Sequence, residues 1–266
     1  MERTLEHESS LLSKMNHPNI VGFRAAQRLS DGHVCLALEH CECSLYALIQ
    51  DRASPDGSCL SPSRRERAGC FFSADEVALI GRSVSSGLAY LHTEHHTMHG
   101  DVKSANILVS RDLTRVKICD LGVSIRLSAD LRKTFDRRIQ YEGTDPWRPP
   151  ETLLRVDGDF CESDDEEDSV MHLCDRTDVF AFGLVIWETL SGDVPHAAVH
   201  ANGEEAYRQA LGTRPPLPPN LPQQFVNLEH IYRCCTEHEP DNRPSASELT
   251  YWLHPDAEPL QSVHRD

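Results

Sequence analysis

His99-Gly-Asp-Val-Lys-Ser-Ala-Asn106 places a titratable ring, a carboxylate, an ammonium and an amide in one short stretch, ahead of the apolar run Ile107-Leu108-Val109. Side chains of these types move protons and hold charge. A second acidic motif, Asp120-Leu-Gly122, follows a little further on. Metal chemistry is the competing reading, because His92, His95, His96 and His99 lie close together. No second group at ligand spacing follows them, and none of the 10 cysteines forms a C-x-x-C pair. The histidines therefore read as buried or surface side chains.

The surrounding elements are legible from period and punctuation. Ser73-Ala-Asp-Glu76 has the form of a capping box. Val77, Ile80, Val84, Leu88 and Leu91 then mark one face of a long helix that ends just before His99. Residues 106–109 and 116–119 predict two short strands around Arg111-Asp112. That hairpin puts Asp101, Asn106 and Asp120 at its ends.

Upstream, Leu5, Leu12 and Met15 predict a helix over 4–16 that carries Glu8 on its apolar side. By position, Glu8 is either a solvated side chain on a fraying helix or a carboxylate that wants a cation. His17-Pro-Asn19 breaks this helix. Strands are expected over 20–27 and 33–39, joined at Ser30-Asp-Gly32, and the second is dense enough to be buried. Residues 53–70 read as a loop and 123–147 as an extended segment. Residues 177–192 are apolar nearly all round, which suits a helix in the middle of a domain. Helices are also expected over 225–235 and 245–253. A small sheet-bearing part thus precedes a larger helical one, an α+β chain.

The chain has 266 residues, room for one large domain or two lobes sharing a cleft. Its formal net charge of -16 disfavours a general nucleic-acid partner. No apolar run approaches the roughly 18 residues of a spanning helix, and MERTLEHESS has no apolar signal core. The expectation is an intracellular protein with reduced thiols and no membrane partner, cytoplasmic, with the nucleus a second compartment. Eight of the residues 157–168 are acidic. This block reads as a solvated insertion over 157–169, or as a docking element in which Ser163 is a phosphosite.

Three motifs in order, His99-Gly-Asp-Val-Lys-Ser-Ala-Asn106, Asp120-Leu-Gly122 and Pro149-Pro-Glu151, resemble the signature set of protein kinases. His17-Pro-Asn-Ile-Val21 resembles the turn after the regulatory helix, which makes Glu8 that helix's ion-pairing glutamate. Asp178 and Trp187 resemble the central helix of the large lobe. Arg243 resembles the partner of Glu151. HGDVKSANI, KICDLGVS, GTDPWRPPE, DVFAFGLVIWE and LGTRPP together resemble the T-LAK cell-originated (PDZ-binding) kinase family, in which Gly100 is typical. That family is mitogen-activated-kinase-kinase-like and acts on serine or threonine.

The resemblance implies a bilobal kinase-like fold with a truncated small lobe and a complete, mostly helical large lobe. Residues 1–38 would be the partial small lobe, 39–41 the hinge, 42–253 the large lobe and 254–266 a tail. It also implies ATP and Mg²⁺ as cofactors and a protein substrate bearing Ser or Thr. Asp101 would orient the acceptor hydroxyl and take its proton, and Lys103 would offset charge on the transferred group. Asn106 and Asp120 would hold Mg²⁺. Thr144 would contact Asp101 and Lys103. Leu38 would be the gatekeeper, the backbone of Glu39–Cys41 would meet the adenine edge, and Leu108 would lie under the ring. Thr134 is a candidate activation phosphosite, although position 100 lacks the arginine that would pair with it.

No G-x-G-x-x-G loop and no Val-Ala-Ile-Lys-like strand precede Glu8. The expectation is an N-terminally incomplete kinase chain whose isolated form clamps ATP poorly. The alternatives are a pseudokinase or scaffold that binds partners through the large lobe, and a small-molecule phosphotransferase of the same fold. The C-terminus, Ser-Val-His-Arg-Asp266, lacks the apolar last residue of a PDZ ligand, so that partner is not expected.

Overall fold

The computed structural model describes residues 2–30, 32–53, 71–131, 141–153 and 173–256. Helix α1 (Glu2–Leu12) opens the chain and ends earlier than its period suggests. The amides of Lys14 and Met15 bond back only three residues, to Leu11 and Leu12. The turn tightens there, ahead of Pro18.

Strands β1 (Phe23–Arg28) and β2 (Val34–Leu38) pair antiparallel, Arg28 opposite Val34 and Phe23 opposite Leu38. The first strand was expected from residue 20. Ile20 instead lies in a parallel bridge with Ile118, whose N–H donates to the Asn19 carbonyl at 2.8 Å and whose carbonyl accepts from Val21 at 2.9 Å. The expectation of a buried second strand also fails. Cys35 and Ala37 are exposed while Val34, Leu36 and Leu38 are half-buried. Helix α1 packs against both strands of this hairpin. The expected turn falls partly on Asp31, outside the described residues.

The larger part is helical. It contains β3 (Cys43–Ser44), α2 (Leu45–Ala53), α3 (Ala74–His95), β4 (Thr97–Met98), β5 (Ile107–Val109), β6 (Val116–Ile118) and β7 (Ile125–Arg126). Then follow α4 (Asp175–Ser191), α5 (Ala197–His200), α6 (Glu204–Ala210), α7 (Val226–Cys235) and α8 (Ala246–Trp252). Sheet order is β3-β5-β6, with β4 paired to β7.

The capping box of α3 forms as expected. Ser73 Oγ accepts the Glu76 N–H at 3.2 Å, and the Ser73 N–H donates to Glu76 Oε2 at 2.7 Å. Its apolar stripe, Val77 to Leu91, is fully buried, at about 1.5–3 kcal/mol for each large side chain. Helix α3 packs on α4 and α8, and α4 packs on α7. Every residue of α4 except Arg176 and Ser191 is buried, which its all-round apolar sequence foretold.

No helix among the described residues is long and apolar enough to cross a membrane. Thr134, Ser163, the rest of the 157–169 block, most of the 53–70 loop and the last ten residues fall outside the described residues.

Candidate active site

Two helices hold the loop 99–106 from behind. His96, in the left-handed conformation (φ 47°), ends α3 and turns the chain into β4. Asp178, buried in the first turn of α4, then fixes the loop backbone. Its carboxylate accepts the His99 N–H at 2.7 Å and the Gly100 N–H at 2.9 Å. His92 of α3 donates Nε2–H to the same carboxylate at 2.7 Å. His99 donates Nε2–H to the Cys119 carbonyl at 2.9 Å, and its Nδ1 accepts the Asp101 N–H at 3.2 Å. The ring thereby ties the loop to the residue before Asp120.

Asp101 is the centre of the site and is only 9% exposed. Oδ1 accepts from Thr144 twice, from Oγ1–H at 2.7 Å and N–H at 2.9 Å. Oδ2 accepts from Lys103 Nζ at 2.6 Å and from Asn106 Nδ2 at 3.0 Å. Lys103 also donates to Thr144 Oγ1 at 2.7 Å. Burial opposes the charge on Asp101, but the bonds from Lys103 and Thr144 and the lysine's charge outweigh it and lower its pKa. Asp101 is thus an ionised acceptor held in one geometry.

Asn106 spends both Nδ2 hydrogens on Asp101, on the backbone carbonyl at 2.9 Å and on Oδ2. Its side-chain oxygen is the atom left for a cation. Asp120 follows β6 in the left-handed conformation (φ 65°), a strained state for a residue with a side chain. Its carboxylate is exposed beyond the hairpin end. One amide oxygen and one carboxylate suit Mg²⁺, a hard cation that takes few protein ligands and completes its shell with water and phosphate. Among the described residues no group of three or more His, Cys, Asp or Glu gathers as a metal cage.

Glu8 is buried, at 6% exposure. It accepts the Leu121 N–H at 3.3 Å, and burial followed by the nearby Asp120 charge raises its pKa. Among the described residues no cation pairs with it. Leu38 and Leu108 are half-buried against the core, at the ends of β2 and in β5. The Glu39 N–H donates to the Gly22 carbonyl at 2.7 Å. Cys41 lies half-buried on the same connection. Burial and then the Glu39 charge raise its thiol pKa.

Glu151 and Arg243 form a buried fork, with both bonds at 2.7 Å. Two site residues escaped sequence reasoning. Glu188 of α4 accepts Ser104 Oγ–H at 2.6 Å and Trp147 Nε1–H at 2.8 Å, joining the loop to the segment that carries Thr144. Lys117 of β6 bonds to Glu39 at 3.0 Å. A charge embedded in an apolar strand, Val116-Lys-Ile118, was the available signal.

The chain matches the protein kinase domain family over residues 1–252. It is 34% identical over 272 residues to the human lymphokine-activated killer T-cell-originated protein kinase, covering 96% of this chain and 76% of that one. It is 27% identical to the dual specificity protein kinase shkD of Dictyostelium discoideum (94% of this chain, 29% of the relative). It is also 27% identical to the rat mitogen-activated protein kinase kinase kinase 12 (91% and 22%). The chain spans about three quarters of the first relative and under a third of the other two. With the loop, the Asp120 motif and the Glu151–Arg243 fork all placed within the matched region, the chain belongs to the protein kinase family.

Proposed function

We propose that this protein kinase transfers the terminal phosphoryl group of ATP to serine or threonine hydroxyls of protein substrates, in mitogen-activated-kinase-kinase-like signalling. The triangle of Asp101, Lys103 and Thr144 carries this reading. Asp101 accepts a hydrogen bond from the substrate hydroxyl, aims its oxygen at phosphorus and takes the proton as the P–O bond forms. The bond from phosphorus to the leaving oxygen of ADP breaks on the opposite side. Lys103 swings between Asp101 and the transferred group and offsets its charge. Thr144 holds both in register. Asn106 and Asp120 would hold Mg²⁺, which would neutralise phosphate charge. Leu38, Leu108 and the backbone of Glu39–Cys41 receive the adenine.

A scaffold without chemistry is the weaker reading. Binding partners through the large lobe does not require Asp101 to be ionised and held from four donors. The test is transfer of labelled phosphate to serine, threonine and tyrosine peptides with Mg²⁺-ATP, followed by phosphoamino-acid analysis. Phosphoserine and phosphothreonine are expected, and Asp101→Asn should cut the rate about 10²–10⁴-fold. Phosphotyrosine alone would overturn the hydroxyl assignment, an arm worth running because one relative is named a dual specificity kinase. A rate unaffected by Asp101→Asn would overturn the mechanism.

A further inference from the structure

Lys117 is 9% exposed, yet its ammonium is fully occupied. Nζ donates to the Pro18 carbonyl at 2.8 Å and the Ile20 carbonyl at 3.4 Å, and it pairs with Glu39 Oε2 at 3.0 Å. Glu39 Oε2 also accepts the Gly22 N–H at 3.2 Å. The Glu39 N–H returns to the Gly22 carbonyl. One lysine therefore joins three separate pieces of chain: the 18–22 segment after α1, the 39–41 connection, and β6, which leads to Asp120.

The register places this lysine at the nucleotide. Lys117 is directly opposite Leu108 in the β5–β6 pair. Opposed residues of an antiparallel pair share one face, so Lys117 stands beside the proposed adenine floor while its partner Glu39 supplies the proposed adenine edge. Glu39's side chain points to Lys117 and Gly22, and its N–H is spent on Gly22. Of its backbone groups only the carbonyl is left for a ligand.

We propose that Lys117 is a positioning residue for ATP: through Glu39 and Gly22 it fixes the connection 39–41 relative to Leu108, so that adenine meets a preformed edge. This rests on the reading that 39–41 and Leu108 receive adenine. Loss of the ammonium leaves the Pro18 and Ile20 carbonyls without this donor and the Glu39 carboxylate with only the Gly22 N–H and no cation. The 39–41 backbone then samples other positions, and binding must select the competent one.

Two measurements on the 266-residue chain separate this from a merely structural role. The first is equilibrium affinity for Mg²⁺-ATP and for Mg²⁺-tripolyphosphate, which lacks the adenine. Lys117→Met should weaken ATP about tenfold and leave tripolyphosphate unchanged, and Lys117→Arg should recover most of the loss. The second needs no ligand. Amide exchange at residues 39–43 should rise about tenfold in Lys117→Met while α4 amides stay as slow as in the parent. Equal loss for both probes, or unchanged exchange at 39–43, overturns the proposal. If Lys117→Met fails to fold, Glu39→Ala is read by the same two measurements with the same expected direction. A parent that binds tripolyphosphate but gains nothing from adenine refutes the adenine reading instead, and the exchange data then still decide whether Lys117 orders the connection.

Discussion

Asp101 has to be charged and buried at once, and its four donors reconcile the two demands. Each donor comes from a residue whose own position is fixed by a second bond, so the carboxylate is aimed before any substrate arrives. Gly100 beside it plays a backbone part. Its φ of 81° lies in the left-handed region, and a Cβ there would sit 2.9 Å from the Val123 carbonyl oxygen. Its N–H is also one of the two that Asp178 holds. Gly100→Ala should therefore cost about 1–2 kcal/mol from the conformation alone, with more from the contact. Urea unfolding measures it, and an unchanged midpoint would show that the loop relaxes without strain. The sequence exposed this residue as a missing arginine. Its conformational role was hidden, because φ depends on where Val123 returns in space.

At the scale of elements, α4 carries both the support for the loop and a titratable group within its buried length. Burial lifts the Glu188 carboxyl to about 8, against the bonds from Ser104 and Trp147 that favour the charged form. The folded chain thus retains a proton there that the unfolded chain gives up above its ordinary value of 4.5. Stability must fall as pH rises from about 4.5 towards about 8. Glu188→Gln keeps an acceptor for Trp147 and a partner for Ser104 but cannot ionise. Its unfolding free energy should be flatter than the parent's across that window, and parallel curves would refute the shift. None of this was legible in Trp187-Glu-Thr-Leu190, since the partners lie 41 and 84 residues away. The cap of α3 was legible because Ser73 and Glu76 are local to one another. The burial of β2 was misjudged because it depends on what packs across the hairpin, which local density does not encode.

Across the whole molecule, the order of motifs in the sequence announced the fold: the 99–106 loop and the Asp120 motif meet at the β5–β6 hairpin, and Pro149-Pro-Glu151 docks on Arg243. The resemblance paired Arg243 with Glu151, as the structure has it, but it did not announce what else this buried arginine holds. Its guanidinium is fully enclosed, forks onto Glu151, and donates to the carbonyls of Arg176, Glu237 and His238. It also stacks over Phe180. One side chain thereby joins the α7–α8 connection, the start of α4 and the Pro149-Pro-Glu151 segment that follows Thr144. Arg243→Ala strands the Glu151 carboxylate and should cost about 3–5 kcal/mol. Glu151→Ala strands the guanidinium and should cost a comparable amount. Because each single change already loses the fork, the double variant should be less destabilised than the sum of the two. Urea midpoints of the four proteins give the coupling directly. Additive losses would mean that the carbonyl contacts and the Phe180 stack, rather than the ion pair, hold these three parts of the large lobe together.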